Sequence, residues 1–136
     1  MYSIENNISG GRNLKILLAE DEDIYQQIIE NYLNSFGLNL TIVENGEKCI
    51  AEAGIHSYDV ILMDIEMPEK NGLEATQELR KKGIKTPIIA VTSSIWKEDE
   101  ITFRASGMND FLPKPLNKKK LESTIHYWAG KSLAVS

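Results

Sequence analysis

Three short runs of the chain are apolar almost from end to end: "LKILLA" (14–19), "DVILMD" (59–64) and "PIIAVT" (87–92). A strand with one wet face alternates apolar and polar residues. A strand that does not alternate must be covered on both faces, as in a parallel sheet with helices above and below. The segments between the runs supply such helices. From Tyr25 the apolar residues fall at Tyr25, Ile28, Ile29, Tyr32, Leu33 and Phe36, a stripe of helical period, and Gly37 follows as a stop. "LNLTIV" (38–43) alternates like a strand, Asn45-Gly46 breaks it, and a weaker helix is expected over roughly 46–54. Pro68 and Asn71-Gly72 shape a turn into a helix reaching about Lys82, with Gly83 behind it. A loosely amphipathic helix is expected over 94–106, with Gly107 as its stop. "DFLP" (110–113) has strand character, and 117–129 is a helix with Leu121, Ile125 and Trp128 inward. Five strands thus alternate with five helices. The implied fold is a doubly wound α/β domain, a class whose sites lie at the carboxyl ends of the strands.

The 136 residues suffice for one domain. It is expected over 13–129, with a flexible leader at 1–12 ending in Gly10-Gly11 and a tail at 130–136. No apolar run approaches the roughly 18 residues of a membrane span, and "MYSIENNISGGRN" has no apolar signal core. With one cysteine, Cys49, there is no internal disulfide framework and no cysteine-cluster metal site. These features imply a cytoplasmic protein without membrane insertion. A net charge of −5 argues against direct, broad nucleic-acid binding.

The residues that close the apolar strands carry the chemistry. The first strand ends in Glu20 and Asp21, the third in Asp64, the fourth in Thr92, and the fifth runs into Lys114. In a parallel sheet these ends share one rim. Clustered carboxylates repel, and one retains its proton unless a cation intervenes. Hard oxygen ligands suit Mg²⁺. Lysine and threonine can hold the oxygens of a phosphoryl group, and a carboxylate beside a bound cation can attack phosphorus. Phosphoryl transfer needs mainly positioning and charge neutralisation, which such a set supplies.

With these residues in view, "ILLAEDE", "DVILMDIEMPEKNGLEA", "TPIIAVTSS" and "GMNDFLPKP" resemble the response-regulator receiver domains of two-component signalling, in the family's order and over about 13–129. The resemblance implies a flavodoxin-like five-stranded parallel sheet of order 2-1-3-4-5 with five helices. It implies Asp64 as phosphoacceptor, Asp21 as a metal-binding acid, Glu20 as its acidic neighbour and the backbone carbonyl of Glu66 as a metal ligand, with Mg²⁺ as the cofactor. It further implies Thr92 and Lys114 as phosphoryl-holding residues, Thr92 and Phe111 as the switch pair, and a cis bond between Lys114 and Pro115. Two departures matter: Glu20 stands where the family more often has aspartate, and Phe111 lacks the hydroxyl of a tyrosine. The implied partners are a sensor histidine kinase or a histidine phosphotransfer protein. The implied activity is phosphoryl transfer from phosphohistidine to Asp64, followed by slow self-dephosphorylation that Ser94 and the Glu66 side chain would tune.

Other readings compete. "DEDIY" (21–25) faintly resembles the start of a haloacid-dehalogenase phosphatase with Asp21 as nucleophile, but Tyr25 breaks that pattern and there is no room for a cap. An inert receiver-like module would not need the complete residue set, and a flavin carrier would not place four acids at its phosphate loop. Glu22 and Asp23 read as the acidic first turn of a helix. Lys118-Lys119-Lys120 read as a solvated face, with a docking patch for an acidic partner as the alternative; His56 and His126 show no partner pattern and read as surface or boundary residues, and Cys49 as a helix or core filler. Trp96 fits either local packing or a partner-facing surface. "GKSLAVS" leaves no room for an output domain, so a stand-alone regulator or a receiver of a hybrid kinase is expected, and the wording of "LLAEDE" and "FLPKPLNKKKL" leans toward the latter.

Overall fold

The computed structural model describes residues 13–93 and 97–134. Its elements are β1 (Lys15–Ala19), α1 (Asp23–Ser35), β2 (Asn39–Val43), α2 (Gly46–Ile55), β3 (Val60–Asp64), α3 (Gly72–Lys81), β4 (Ile88–Thr92), α4 (Lys97–Ser106), β5 (Asp110–Pro113) and α5 (Lys118–Ala134). The five strands form one parallel sheet in the order β2-β1-β3-β4-β5.

The three apolar runs become the sheet's centre, and every residue of β3 and β4 is buried. Successive side chains point to opposite faces, so each run feeds two cores. Ile16, Leu18, Val60, Leu62, Ile89 and Val91 join Ile29 and Leu33 of α1 and Leu121 and Ile125 of α5. Leu17, Ala19, Ile61, Met63, Ile88 and Ala90 join Cys49 of α2, Leu79 of α3 and Phe103 of α4. Each fully buried Leu or Ile contributes roughly 1.5–3 kcal/mol, which is what holds the rim's charged groups in place. Burial also pushes the Cys49 thiol up to about 12, keeping it a neutral core residue.

The elements differ from expectation in a few places. Helix α5 continues through Gly130 to Ala134. Gly130 lowers helix propensity but neither blocks the helix nor has any neighbour crowding it, and Lys131 suits the negative end of the dipole. Ser94 and Trp96 lie outside the described residues. His56, exposed as expected, gains a local contact: its Nδ1 lies 2.9 Å from Glu52, one helical turn away, which also accepts from the Tyr58 hydroxyl. Trp128 faces inward as expected, half-buried against the first core. Arg80, which nothing in the sequence singles out, donates to the carbonyls of Ile84, Thr86 and Gly107 and to the Asn109 side chain, tying the far ends of β4 and β5 together. Among the described residues no helix is long and apolar enough to cross a membrane.

Two glycines do specific work. Gly37 ends α1 at φ +74°, a conformation costly for other residues. Gly72 opens α3 under Asn71, whose side chain and that of Glu74 form a reciprocal capping box. A Cβ on Gly72 would lie 2.3 Å from the Asp64 carbonyl oxygen and 2.9 Å from Met63 Cγ. The sequence "KNG" is therefore the device that lets α3 return directly beneath the end of β3. Gly72→Ala is expected to lower unfolding free energy by about 1–3 kcal/mol in urea titrations, because the clash is with backbone that cannot move aside.

Candidate functional site

Register brings the strand ends together. Ala19 is level with Met63, Asp64 with Val91, and Thr92 with Pro113. The residue after β1, Glu20, is tied to the sheet by its N–H donating to Val43 O at 3.0 Å. The Lys114 N–H does the same to Thr92 O at 2.8 Å. Glu20, Asp64, Thr92 and Lys114, expected from the strand ends, therefore sit at one rim. Glu20, Asp64 and Thr92 are 0%, 3% and 3% exposed, and the Lys114 side chain is 8% exposed. The Lys114–Pro115 bond is cis.

Lys114 is the hub. Its Nζ lies 3.3 Å from Glu20 Oε1, 3.6 Å from Asp64 Oδ1 and 3.9 Å from Glu22 Oε1. Burial opposes its charge, but the Asp64 and Glu20 carboxylates outweigh burial and hold it above the usual lysine range. Asp64 is pushed the other way. Burial and then the Glu20 carboxylate raise it to about 7, against the pull of Lys114 and of the Glu66 N–H, which donates to Asp64 Oδ1 at 3.3 Å. One ammonium does not balance this rim.

The remaining imbalance identifies what the site can hold. One oxygen each of Glu20, Asp21 and Asp64 lies within 4.8 Å of the others. Asp21 is exposed, so the cluster opens to solvent on one side. Glu20 Oε2 accepts from the Glu22 N–H, whereas Glu20 Oε1 is buried with no hydrogen-bond partner among the described residues. Lys114 approaches that oxygen without hydrogen-bond geometry. A buried acceptor left unsatisfied costs about 1–3 kcal/mol, so the arrangement favours an added cation. Three carboxylate oxygens, all hard donors with an open side, fit a divalent ion such as Mg²⁺.

Phe111 is half-buried in β5, edge-on to Phe103 with ring centroids 6.2 Å apart. Its N–H donates to Asp110 Oδ1, while Asp110 Oδ2 accepts from Trp128 Nε1–H at 2.8 Å. This link from Phe111 to α5 is invisible in the sequence, because it joins residues far apart in the chain. Two more groups were not anticipated. Glu22 is the N-cap of α1 rather than only part of an acidic first turn, and its carboxylate faces Lys114. Tyr25 belongs to the helical stripe, yet its ring centre is 4.0 Å from Lys114 Nζ. Their spacing of three residues, which puts both on one helix face, was the available signal. Lys118, at the head of α5, lies 6.0 and 5.6 Å from the rings of Tyr32 and Phe36.

The comparisons with known proteins agree with this geometry. The sequence profile described as "Response regulator receiver domain" matches residues 16–126. Two-component response regulator 24 of Arabidopsis thaliana is 37% identical over 114 residues, covering 83% of this chain and 82% of that protein. Transcription factor SKN7 of Saccharomyces cerevisiae is 35% identical over 120 residues, covering 88% of this chain but only 19% of that protein. The chain thus spans about a fifth of that relative's length. Among solved structures, the receiver domain of a sensor histidine kinase from Pseudomonas aeruginosa superposes with a TM-score of 0.81 at 36% identity, over 88% of this chain and 99% of that one. That structure is described as having a magnesium ion coordinated in its active-site cleft.

The raised Asp64 generates a prediction for metal-free protein. The unfolded carboxyl loses its proton near 3.8 and the folded one near 7. Between these values the folded state holds more protons, so this group's contribution to stability falls as pH rises. In EDTA, Asp64→Asn is expected to be more stable than wild type by about 1–3 kcal/mol at pH 8, with the advantage opening between about pH 4 and 7. Urea titrations at several pH values check this.

Proposed function

The chain belongs to the response regulator receiver domain family of two-component signalling, and from that premise we propose that Asp64 is its phosphoacceptor. The observation that carries the proposal is the placement of Asp64. It is a buried carboxylate at the end of a central strand, flanked by two further acids and facing one ammonium. In the proposed reaction an Asp64 oxygen attacks the phosphorus of a phosphohistidine on a kinase or histidine phosphotransfer protein. The P–O bond forms as the P–N bond breaks, and the imidazole leaves with the bonding pair and takes up a proton. Lys114 and the Thr92 hydroxyl hold phosphoryl oxygens and disperse their charge. Asp21, Asp64 and the carbonyl of Glu66, with Glu20 beside them, would hold Mg²⁺, which supplies charge neutralisation between acceptor and phosphoryl group when bound.

The switch follows from the same atoms. Drawing Thr92 toward the phosphoryl group vacates space beside β5, which Phe111 can enter. This reading is supported by Phe111 being half-buried and adjoining Phe103 of α4, with its backbone linked through Asp110 to Trp128 of α5. A local charge change would thus bias how α4, β5 and α5 present themselves. The domain is proposed to extend over 13–129, to act in the cytoplasm and to serve as one stage of a phosphorelay, either alone or within a hybrid kinase. Ser94, proposed as a tuning position for phosphate loss, lies outside the described residues.

Intact mass spectrometry after incubation with acetyl phosphate tests this. One added phosphoryl group is expected in Mg²⁺ and none in EDTA or in Asp64→Asn. Lys114→Ala should slow labelling by about 10²-fold, the typical effect of removing one charge-stabilising group from a transition state. Labelling that survives in Asp64→Asn, or wild-type protein that no acyl phosphate or phosphohistidine donor can label, contradicts the proposal.

A further inference from the structure

Lys114 is confined by more than its ion pairs. Glu20 and Asp64 approach it from the strand ends, and Glu22 and Tyr25 from the first turns of α1. The two α1 groups are not equivalent. Glu22 has a side chain 62% exposed, so its 3.9 Å contact is screened and can follow the ammonium into water. Tyr25 is half-buried, part of a helix anchored by Ile29 and Leu33, and its ring centre is 4.0 Å from Nζ. That distance is well inside the range at which an aromatic face attracts a cation. The attraction acts on the charge as a whole and does not claim one particular N–H. Lys114 can therefore be held over the rim with its donors available for oxygens.

We infer that Tyr25 is a positioning residue for Lys114, its ring fixing the ammonium at the corner where a phosphoryl group binds. The inference rests on the reading of Asp64 as phosphoacceptor. The consequence is specific. When a phosphoryl group and a cation occupy the rim, Lys114 must exchange carboxylate contacts for a phosphoryl oxygen. A lysine lacking the ring would divide its time between that oxygen, the Glu22 carboxylate and water. Tyr25 disfavours excursions toward the exposed Glu22 carboxylate and into water without excluding the 3.9 Å Glu22 contact, which is consistent with a Lys114 side chain only 8% exposed. The hydroxyl has no part in this, so phenylalanine should serve as well as tyrosine, whereas an aliphatic side chain of similar bulk should not.

The test uses beryllofluoride with Mg²⁺ as a phosphoryl mimic and two readouts, affinity and the NMR signals of the Lys114 ε-methylene. Tyr25→Leu is expected to weaken beryllofluoride binding about three- to tenfold and to abolish the ring-current shift of those protons. Tyr25→Phe is expected to stay within about twofold of wild type and to retain the shift. Tyr25→Met repeats the measurement with an unbranched side chain should leucine disturb α1. In the Lys114→Ala background the change at Tyr25 should have no further effect on affinity, since the two act through one contact. Wild-type affinity in both aliphatic variants overturns the inference, as does weakened binding with the ε-methylene signals unmoved. Wild-type protein that does not bind beryllofluoride in Mg²⁺ overturns the underlying reading of Asp64 instead.

Discussion

The Lys114 ammonium sits between the Glu20 and Asp64 carboxylates at the rim of the sheet, and the rest of the molecule is arranged around that unfinished neutralisation. Two buried acids, Glu20 and Asp64, and two exposed ones, Asp21 and Glu22, share the rim with one cation, so the rim carries excess negative charge in a region of reduced solvation. Taken alone this is an unfavourable way to end three strands. It persists because β1, β3 and β4 are apolar on both faces and are pinned between two cores. Asp64 cannot retreat into solvent without dragging the end of β3 out of register with β4. The fold's surplus stability is what allows the site to carry this excess charge.

The same constraint explains the loops. Asn71-Gly72 lets α3 begin almost in contact with the Asp64 carbonyl, closing the β3–α3 connection tightly. The Gly72 N–H donates to Ile65 O, and the Thr76 hydroxyl to Gly72 O, so the return is held by the chain's own hydrogen bonds. At the opposite end of the sheet Arg80 gathers carbonyls from the β4 and β5 entries. One end is therefore locked by satisfied hydrogen bonds. The other has a buried oxygen, Glu20 Oε1, that lacks a hydrogen-bond partner among the described residues. Binding and chemistry are expected at the second kind of end.

Much of this was legible in the sequence, and the reason is physical. Continuous apolar runs of five or six residues, alternating with helical stripes, point to double-covered strands, and such strands place their closing residues at one rim. Glu20, Asp64, Thr92 and Lys114 could therefore be grouped before any coordinates. What stayed hidden were contacts set by rotation and reach. The helical stripe that correctly placed Ile29 and Leu33 also assigned Tyr25 to packing, because periodicity gives a face and not the group opposite it. Glu22 looked like a dipole-stabilising acid for the same reason. The Asp110–Trp128 hydrogen bond and the Arg80 fan join distant residues by side-chain geometry, which no local pattern encodes. The expected end of α5 at 129 falls short of Ala134 because the apolar stripe thins out there, yet Gly130, with open surroundings, weakens the helix without ending it.

The central claim is that the strand-end carboxylate at Asp64, and not the neighbouring acid at Asp21, carries the phosphoryl group. Borohydride reduces an aspartyl phosphate to homoserine in place, so the acceptor can be read directly from peptide fragments by tandem mass spectrometry. After phosphorylation by acetyl phosphate in Mg²⁺, the account predicts homoserine at position 64 alone. Homoserine at position 21, as a phosphatase nucleophile there would give, or at neither position in protein of demonstrably increased mass, would contradict it.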